Sequence, residues 1–188
     1  MSGRRLDILD PSPLDIEIED IAHGLARVAR WNGQTTGPLP FNVAQHCAIV
    51  VDMCLQLKPE WPSRWQLAAL LHDAPEYVIG DMISPFKAAL GERYREVEHG
   101  LQRAIHVRFG LPATLPDSVE KLIKRADRAC AFFEATQIAG FDHVEAEKFF
   151  PVPAQILPFR LEALSSEASQ ALYLRRFHTL IDKTANSA

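Results

Sequence analysis

The chain has 188 residues, of which 47% are hydrophobic and 23% are charged, and this is enough for one globular domain with a sizeable core. A formal net charge of −4 without a long basic block argues against binding to polymeric nucleic acid, although a small phosphorylated ligand needs only one Arg and a metal. The three cysteines lack Cys-x-x-Cys spacing and no apolar run reaches the length of a membrane span, so we expect a cytoplasmic protein with reduced thiols and no membrane partner.

Apolar residues recur at helix spacing along nearly the whole chain, and no segment alternates convincingly like a strand. The segments expected are an N-terminal arm over residues 1–17 and helices over about 18–30, 43–57, 64–72, 84–90, 92–109, 118–139 and 161–183. Pro75 cannot donate to the helical ladder, so it should break the third helix just beyond residue 72. We therefore expect one compact all-α domain of short, Pro-broken helices, with its motifs over about 18–140.

Polar residues with capping chemistry mark the start of three of these helices. Asn42 is the predicted N-cap of the second helix, and Gln45 follows at the capping-box spacing. Ser63 repeats this signal for the third helix. Ser84 followed by Pro85 predicts an N-cap with proline at the first helical position.

Three separate helices each place a metal-ligand side chain on an apolar stripe. His46 lies on the stripe of the second helix, His72 and Asp73 close the third, and Asp127 follows Ile123 by four residues on a later one. Each alone is typical of a structural residue, such as a satisfied core His or a paired acid. Together they favour a single site for one divalent metal. Two imidazoles and two carboxylates suit Mn²⁺, Fe²⁺, Co²⁺, Ni²⁺ or Zn²⁺ better than Ca²⁺ or Mg²⁺.

Two further acids follow this motif across the break at Pro75. Glu76 is one turn from His72 and Asp73, where it could face the metal without ligating it and act as a general acid or base. Asp81 follows Gly80, and a turn there could direct its carboxylate back into the site. On local spacing alone, an exposed helix-end Glu and an ordinary turn Asp remain the alternatives.

The order His46, His72-Asp73, Asp127 resembles that of the HD-domain metal-dependent phosphohydrolases, and longer stretches resemble the bacterial 5′-deoxynucleotidases among them. The stretches that carry the resemblance are Ala-Arg-Trp at 29–31, Asn-Val-Ala-Gln-His at 42–46, His-Asp-Ala-Pro-Glu-Tyr-Val-Ile-Gly-Asp at 72–81, Ser-Pro-Phe-Lys at 84–87 and Ile-Lys-Arg-Ala-Asp-Arg-Ala-Cys-Ala at 123–131. They lie in the family's order, and the Arg-Trp and Gly-Asp pairs are more specific than the His-Asp pair.

The resemblance implies an all-α HD-domain fold and a hydrolytic reaction at one divalent cation, which could be Co, Mn, Fe, Ni or Zn. It implies that His46, His72, Asp73 and Asp127 hold the metal. A metal-bound water would attack the phosphorus of a deoxynucleoside 5′-monophosphate, with Glu76 handling a proton beside Asp73 at the catalytic centre. It also implies a homodimer.

The same resemblance implies four substrate contacts. Arg30 would orient the phosphate, which agrees with the bidentate match between guanidinium and phosphate oxygens. Trp31 would pack against the sugar and disfavour a 2′-hydroxyl. Asp81 and the residues after it, Ser84 included, would contact the ribose 3′-hydroxyl.

Two other functions remain open at this point. Residues 82–84 are Met-Ile-Ser, where the family tends to have Pro and Thr after the Gly-Asp pair, so a deoxynucleoside triphosphate triphosphohydrolase or pyrophosphohydrolase of the same superfamily is one alternative. An enlarged basic pocket near Arg30, Lys87 and Lys124 would favour it. A metal- or nucleotide-binding module without turnover is the other, and it has no need for Glu76.

Overall fold

The computed structural model describes residues 2–186, and this part of the chain is all-α, as expected. It contains no β-strand beyond an isolated bridge between Ala29 and Asn42. The helices are α1 (Ile18–Leu25), α2 (Val43–Leu57), α3 (Ser63–Leu70), α4 (Glu76–Ile79), α5 (Ser84–Leu90), α6 (Glu92–Arg108), α7 (Asp117–Gln137), α8 (His143–Phe149) and α9 (Ser166–Ala185). No helix within these residues is long and apolar enough to cross a membrane.

Helix α2 lies at the centre of the fold and packs against α1, α3, α7 and α9. Asn42 caps it as predicted, because its side-chain oxygen accepts a hydrogen bond from Gln45 N at 3.1 Å. Its residues are buried on almost every side, which suits a helix surrounded by others. Tyr173 of α9 is fully buried and donates from its hydroxyl to Leu70 O at 3.0 Å, and this bond ties α9 to the end of α3.

The predicted break at Pro75 is present and separates α3 from α4. Helix α3 ends at Leu70, two residues earlier than expected, and residues 71–75 form consecutive turns. His72 and Asp73 therefore lie in a turn rather than on the last helical residues. Helix α4 lies against Gly24 of α1. A Cβ at Gly24 would lie 2.8 Å from Tyr77 Cβ, so α1 and α4 approach each other closely.

The prediction that the first helix reaches residue 30 was wrong. Helix α1 ends at Leu25, and Arg30–Gly33 is a 3-10 turn in which Trp31 and Asn32 have positive φ angles of 55° and 51°. The chain leaves the helix because its backbone bonds elsewhere: Arg30 N donates to Phe41 O at 2.8 Å. Positive φ in a bulky residue is costly, so the surrounding contacts must hold Trp31 in place.

The predicted helix over residues 161–183 begins later, at Ser166, with Ser165 as its N-cap. Residues 161–164 lie outside any helix, and Gln45 binds them there: its side chain accepts from Leu164 N at 3.0 Å and donates to Glu162 O at 2.7 Å. Helix α8 was not predicted, because seven residues are too few to show a helical period.

Ser63 and Ser84 are the first residues of their helices, and Pro62 and Ile83 occupy the N-cap positions predicted for the two serines. Neither serine makes the side-chain hydrogen bond of an N-cap. The remaining predicted helix ends lie within two residues of the observed ones.

Candidate metal centre and adjoining cavity

Three parts of the fold bring His46, His72, Asp73 and Asp127 together. His46 comes from the buried face of α2, His72 and Asp73 from the turn after α3, and Asp127 from α7, which packs against α2. His46 Nε2 lies 3.2 Å from Asp127 Oδ1 and 3.5 Å from Asp73 Oδ2. His72 Nε2 lies 3.2 Å from the same Asp73 oxygen. The four side chains thus meet at one point.

Both histidines turn the same ring nitrogen toward this point. His72 Nδ1 is 2.8 Å from Ala69 O, and His46 Nδ1 is 2.6 Å from Glu134 Oε1, so each ring donates its Nδ1 proton away from the cluster. The two Nε2 atoms are buried and, among the residues described, make no hydrogen bond. Unpartnered buried nitrogens facing two carboxylates fit a divalent cation, which would use both lone pairs.

Glu134 of α7 is the site residue that the sequence analysis missed. It is 0% exposed, yet both of its oxygens are used. Oε1 accepts from His46, while Oε2 accepts from Trp31 Nε1 at 2.8 Å and from two nitrogens of Arg30 at 3.2 Å each. Its signal in the sequence is its place seven residues, or two helical turns, after Asp127, within an otherwise apolar stripe.

Among residues 2–186, two other groups of side chains could also hold a metal ion, and each includes a cysteine. One joins Cys130 and Glu134 to the Nδ1 side of His46, and the other joins Cys47 to His72 and Asp73. Burial raises the pKa of the Cys47 thiol to about 11 and that of Cys130 well above its ordinary value. The group formed by His46, His72 and Asp127 does not require a buried thiol to ionise.

The side chains of the cluster shift one another's pKa values. Burial opposes ionisation of Asp73, but the adjacent His72 imidazole outweighs it and holds the pKa of Asp73 well below its usual range. Burial likewise lowers the pKa of His72, but Asp73 more than compensates and the net pKa is raised. For Asp127, burial is outweighed by the adjacent His46 imidazole, with a smaller contribution from the charge of His72, and its pKa is lowered. Both acids are therefore carboxylates at neutral pH, as metal ligation requires.

Glu76 is buried at the start of α4 and behaves differently from these two acids. Burial, and then the negative charges of Asp73 and Asp81, raise its pKa to about 9. Lys87 Nζ lies 3.6 Å from Glu76 Oε1, while Oε2 makes no hydrogen bond to any described residue. In the metal-free protein Glu76 consequently carries a proton at neutral pH.

A cavity of about 750 Å³ opens beside the cluster. Its walls are formed by Arg30, Asp73, Glu76, Asp81, Met82, Ser84, Pro85, Lys87, Lys124, Asp127, Arg128, Ala131, Phe141, Phe149 and Phe150. Most residues singled out from the sequence therefore lie on one surface. Arg30 is also within 3.5 Å of Asp81. Trp31 lies against Phe141 and Phe150, with ring centroids 5.6 Å and 5.9 Å apart, and its indole N–H is used by Glu134.

The chain is similar in sequence to two proteins that are named as uncharacterized. No family model matches it. The uncharacterized protein YfdR of Escherichia coli is 29% identical over 170 residues, covering 88% of this chain and 85% of its relative. The uncharacterized protein RCAP_rcc00048 of Rhodobacter capsulatus is 51% identical over 183 residues, covering 96% of this chain and 93% of its relative. At that identity and coverage, the chain belongs to the same family as the Rhodobacter capsulatus protein.

Proposed function

We propose that the protein is a metal-dependent phosphohydrolase of the HD-domain type that removes the 5′-phosphate from deoxynucleoside monophosphates. One observation carries the proposal: two buried imidazole nitrogens without a hydrogen-bond partner among the described residues meet two carboxylates, and these carboxylates line a cavity whose wall also holds the buried Glu76. A binding module would need the first four groups but not the fifth.

His46, His72, Asp73 and Asp127 would hold the cation. The donor set of two imidazole nitrogens and two carboxylate oxygens suits Mn²⁺, Fe²⁺, Co²⁺, Ni²⁺ or Zn²⁺. When bound, such a cation supplies positive charge against a phosphoryl oxygen and makes water more acidic. Glu134 and the Ala69 carbonyl fix the histidine tautomers that leave both Nε2 lone pairs free for it.

Arg30 is the residue best placed to orient a phosphate in the cavity. Its guanidinium is held on one side by Glu134 and lies within 3.5 Å of Asp81 on another, so few of its rotamers remain. A fixed guanidinium binds phosphate oxygens without losing further side-chain entropy. Asp81 and Glu134 partly offset the positive charge of Arg30, so Arg30 and the cation would bind the phosphate together.

Glu76 would give its proton to the leaving 5′-oxygen. Its carboxyl is buried and lines the cavity beside Asp73, and burial favours the neutral acid, which is the form that can donate a proton. Lys87, held at 2.8 Å from Glu98, lies within 3.6 Å of Glu76 and would stabilise the carboxylate that remains after proton transfer. Asp81 borders the same space and could accept a sugar hydroxyl.

A second candidate is the release of triphosphate or pyrophosphate from a deoxynucleoside triphosphate. Lys124 and Arg128 line the cavity one helical turn apart on α7, and neither has an acidic partner within residues 2–186. Together with Lys87, which lines the same cavity, these cations could bind phosphates that a monophosphate does not have. They support the second candidate, which needs basic groups beyond Arg30, while four acids line the same cavity.

Product analysis separates the candidates. The protein would be stripped of metal, reloaded with Mn²⁺ or Co²⁺, and incubated with deoxynucleoside mono- and triphosphates and their ribose counterparts. Nucleoside plus free phosphate from the monophosphate supports the first candidate, and nucleoside plus intact triphosphate supports the second. Glu76→Gln is the control against contaminating phosphatases. Absence of product from every substrate would overturn both in favour of a non-catalytic module.

A further inference from the structure

An exposed aromatic side chain lines the cavity at the C-terminal end of α8. Phe149, the last residue of α8, is 60% exposed and lines the same cavity as Asp73 and Asp127. Its ring centroid lies 6.3 Å from that of Phe150, which in turn packs edge-on against Trp31. Phe141 also lines the cavity and packs against Trp31, so the aromatic side chains of this wall reach the residue beside Arg30.

The backbone holds Phe149 in this position. Asp142 caps α8 by accepting from Glu145 N at 2.8 Å, and Ala146 is fully buried against the core. Phe150 N donates to Ala146 O at 2.8 Å, which continues the helical bonding just past Phe149. A ligand that covers this ring removes apolar surface from water, which is favourable, and the fixed backbone means that little is lost in ordering the ring.

The wall of the cavity carries two kinds of group. One kind is charged and comprises Asp73 and Asp127 of the proposed ligand set, Arg30, and the cations Lys124 and Arg128, which have no acidic partner among residues 2–186. The other kind is aromatic and includes the exposed ring of Phe149. A ligand that uses both kinds has an anionic group joined to a flat aromatic one. A sugar phosphate uses only the charged groups, whereas a nucleotide uses both.

We propose that Phe149 is the platform on which the nucleobase of the substrate stacks, and that this contact separates nucleotides from other phosphomonoesters. The inference rests on the proposed function and adds its base subsite. Stacking uses the face that every base has, so recognition would tolerate different bases. Loss of one base–aromatic contact typically corresponds to about 5- to 150-fold in affinity.

The test compares a nucleotide with its base-free counterpart. Phe149→Ala, Phe149→Leu and Phe149→Trp would be assayed on deoxyadenosine 5′-monophosphate and on 2-deoxyribose 5-phosphate with Mn²⁺. Because Phe149 is exposed, none of these changes should impair folding. Val144→Ala is the matched control, since Val144 is 66% exposed on the same helix and is not part of the cavity wall given above.

We expect Phe149→Ala and Phe149→Leu to lower kcat/KM for the nucleotide at least 5-fold through KM, with Phe149→Trp near the wild-type value and the sugar phosphate unaffected. An equal loss on both substrates, or none on either, would overturn the base subsite while leaving hydrolysis intact. If neither compound is hydrolysed, the proposed function has failed. In that case, dissociation constants of the two compounds would be measured on the Mn²⁺-loaded variants. Weaker binding of the nucleotide alone in Phe149→Ala would support stacking, and an equal change for both compounds, or none, would overturn it.

Discussion

Replacing Glu134 with Gln tests how the candidate metal centre is organised. Glu134 offers two acceptor oxygens, one to His46 Nδ1 and one to Arg30 and Trp31. A carboxamide has a single oxygen. If that oxygen faces Arg30, the amide NH₂ faces His46 Nδ1, which must then accept a hydrogen bond. The imidazole proton would move to Nε2, the atom that faces Asp127 and the metal position.

The expected loss follows from that change of tautomer. Removing the partner that orients a ligating imidazole typically lowers metal affinity 10- to 100-fold, which is about 1.4 to 2.8 kcal/mol. The substitution also removes the buried anion beside the Arg30 guanidinium, and breaking such a pair costs about 3 to 5 kcal/mol of stability. Asp81 remains within 3.5 Å of Arg30, so we expect a value near the lower end, about 3 kcal/mol.

Titration calorimetry with Mn²⁺ or Zn²⁺ and urea unfolding of the metal-free protein would measure the two effects. Cys130→Ala is the matched control. It removes a hydrogen bond to Glu134, which Cys130 Sγ donates to Oε1 at 3.3 Å, but it leaves both carboxylate oxygens of Glu134 in place. It should bind metal as the wild type does. Unchanged metal affinity in Glu134→Gln would refute the orienting role, and an equal loss in Cys130→Ala would move the metal to the Nδ1 side of His46.

The low pKa of Glu134 predicts that the stability of the wild type and of Glu134→Gln depends differently on pH in acid. Burial would raise its pKa, but Arg30 and then His46 outweigh burial and hold it well below the ordinary value. A depressed folded pKa contributes stability above the unfolded pKa of about 4.3, and this contribution is lost as pH falls toward the folded value. Metal-free wild type should thus lose unfolding free energy more steeply below about pH 4 than Glu134→Gln.

Three further predictions concern the neighbouring residues. Glu76→Gln mimics the protonated acid and should fold and bind metal normally while turnover falls at least about 100-fold; undiminished rates would remove Glu76 from the reaction. Asp127→Ala should abolish the rise in Tm that added metal causes in the wild type, and a preserved rise would contradict its role as a ligand. Gly24→Ala should cost about 1 to 3 kcal/mol in urea unfolding, because its Cβ would lie 2.8 Å from Tyr77 Cβ. Gly100→Ala, where the nearest atoms are at 3.9 Å, should be neutral or stabilising, and equal effects of the two glycine changes would contradict the close approach of α1 and α4.

The sequence was sufficient for features that depend on local chemistry. Helix periodicity predicted an all-α chain, Asn42 predicted the start of α2, and Pro75 predicted the break between α3 and α4, which begins after Leu70, two residues earlier than expected. These features follow from spacing, side-chain oxygens and the missing proline N–H, which act within a few residues. His46 and Asp127 could be assigned to buried stripes for the same reason, so their approach in the fold was expected.

Only the tertiary structure decided the features that depend on contacts between distant segments. The spacing of Glu134 places it on the same stripe as Asp127, but only the fold brings Arg30, Trp31 and His46 against it from about 90 to 100 residues away. The end of α1 at Leu25 was set by backbone bonds to the segment before α2, which no local propensity encodes. Sequence spacing therefore determined which side chains face the core, and packing between helices determined which buried polar groups became partners.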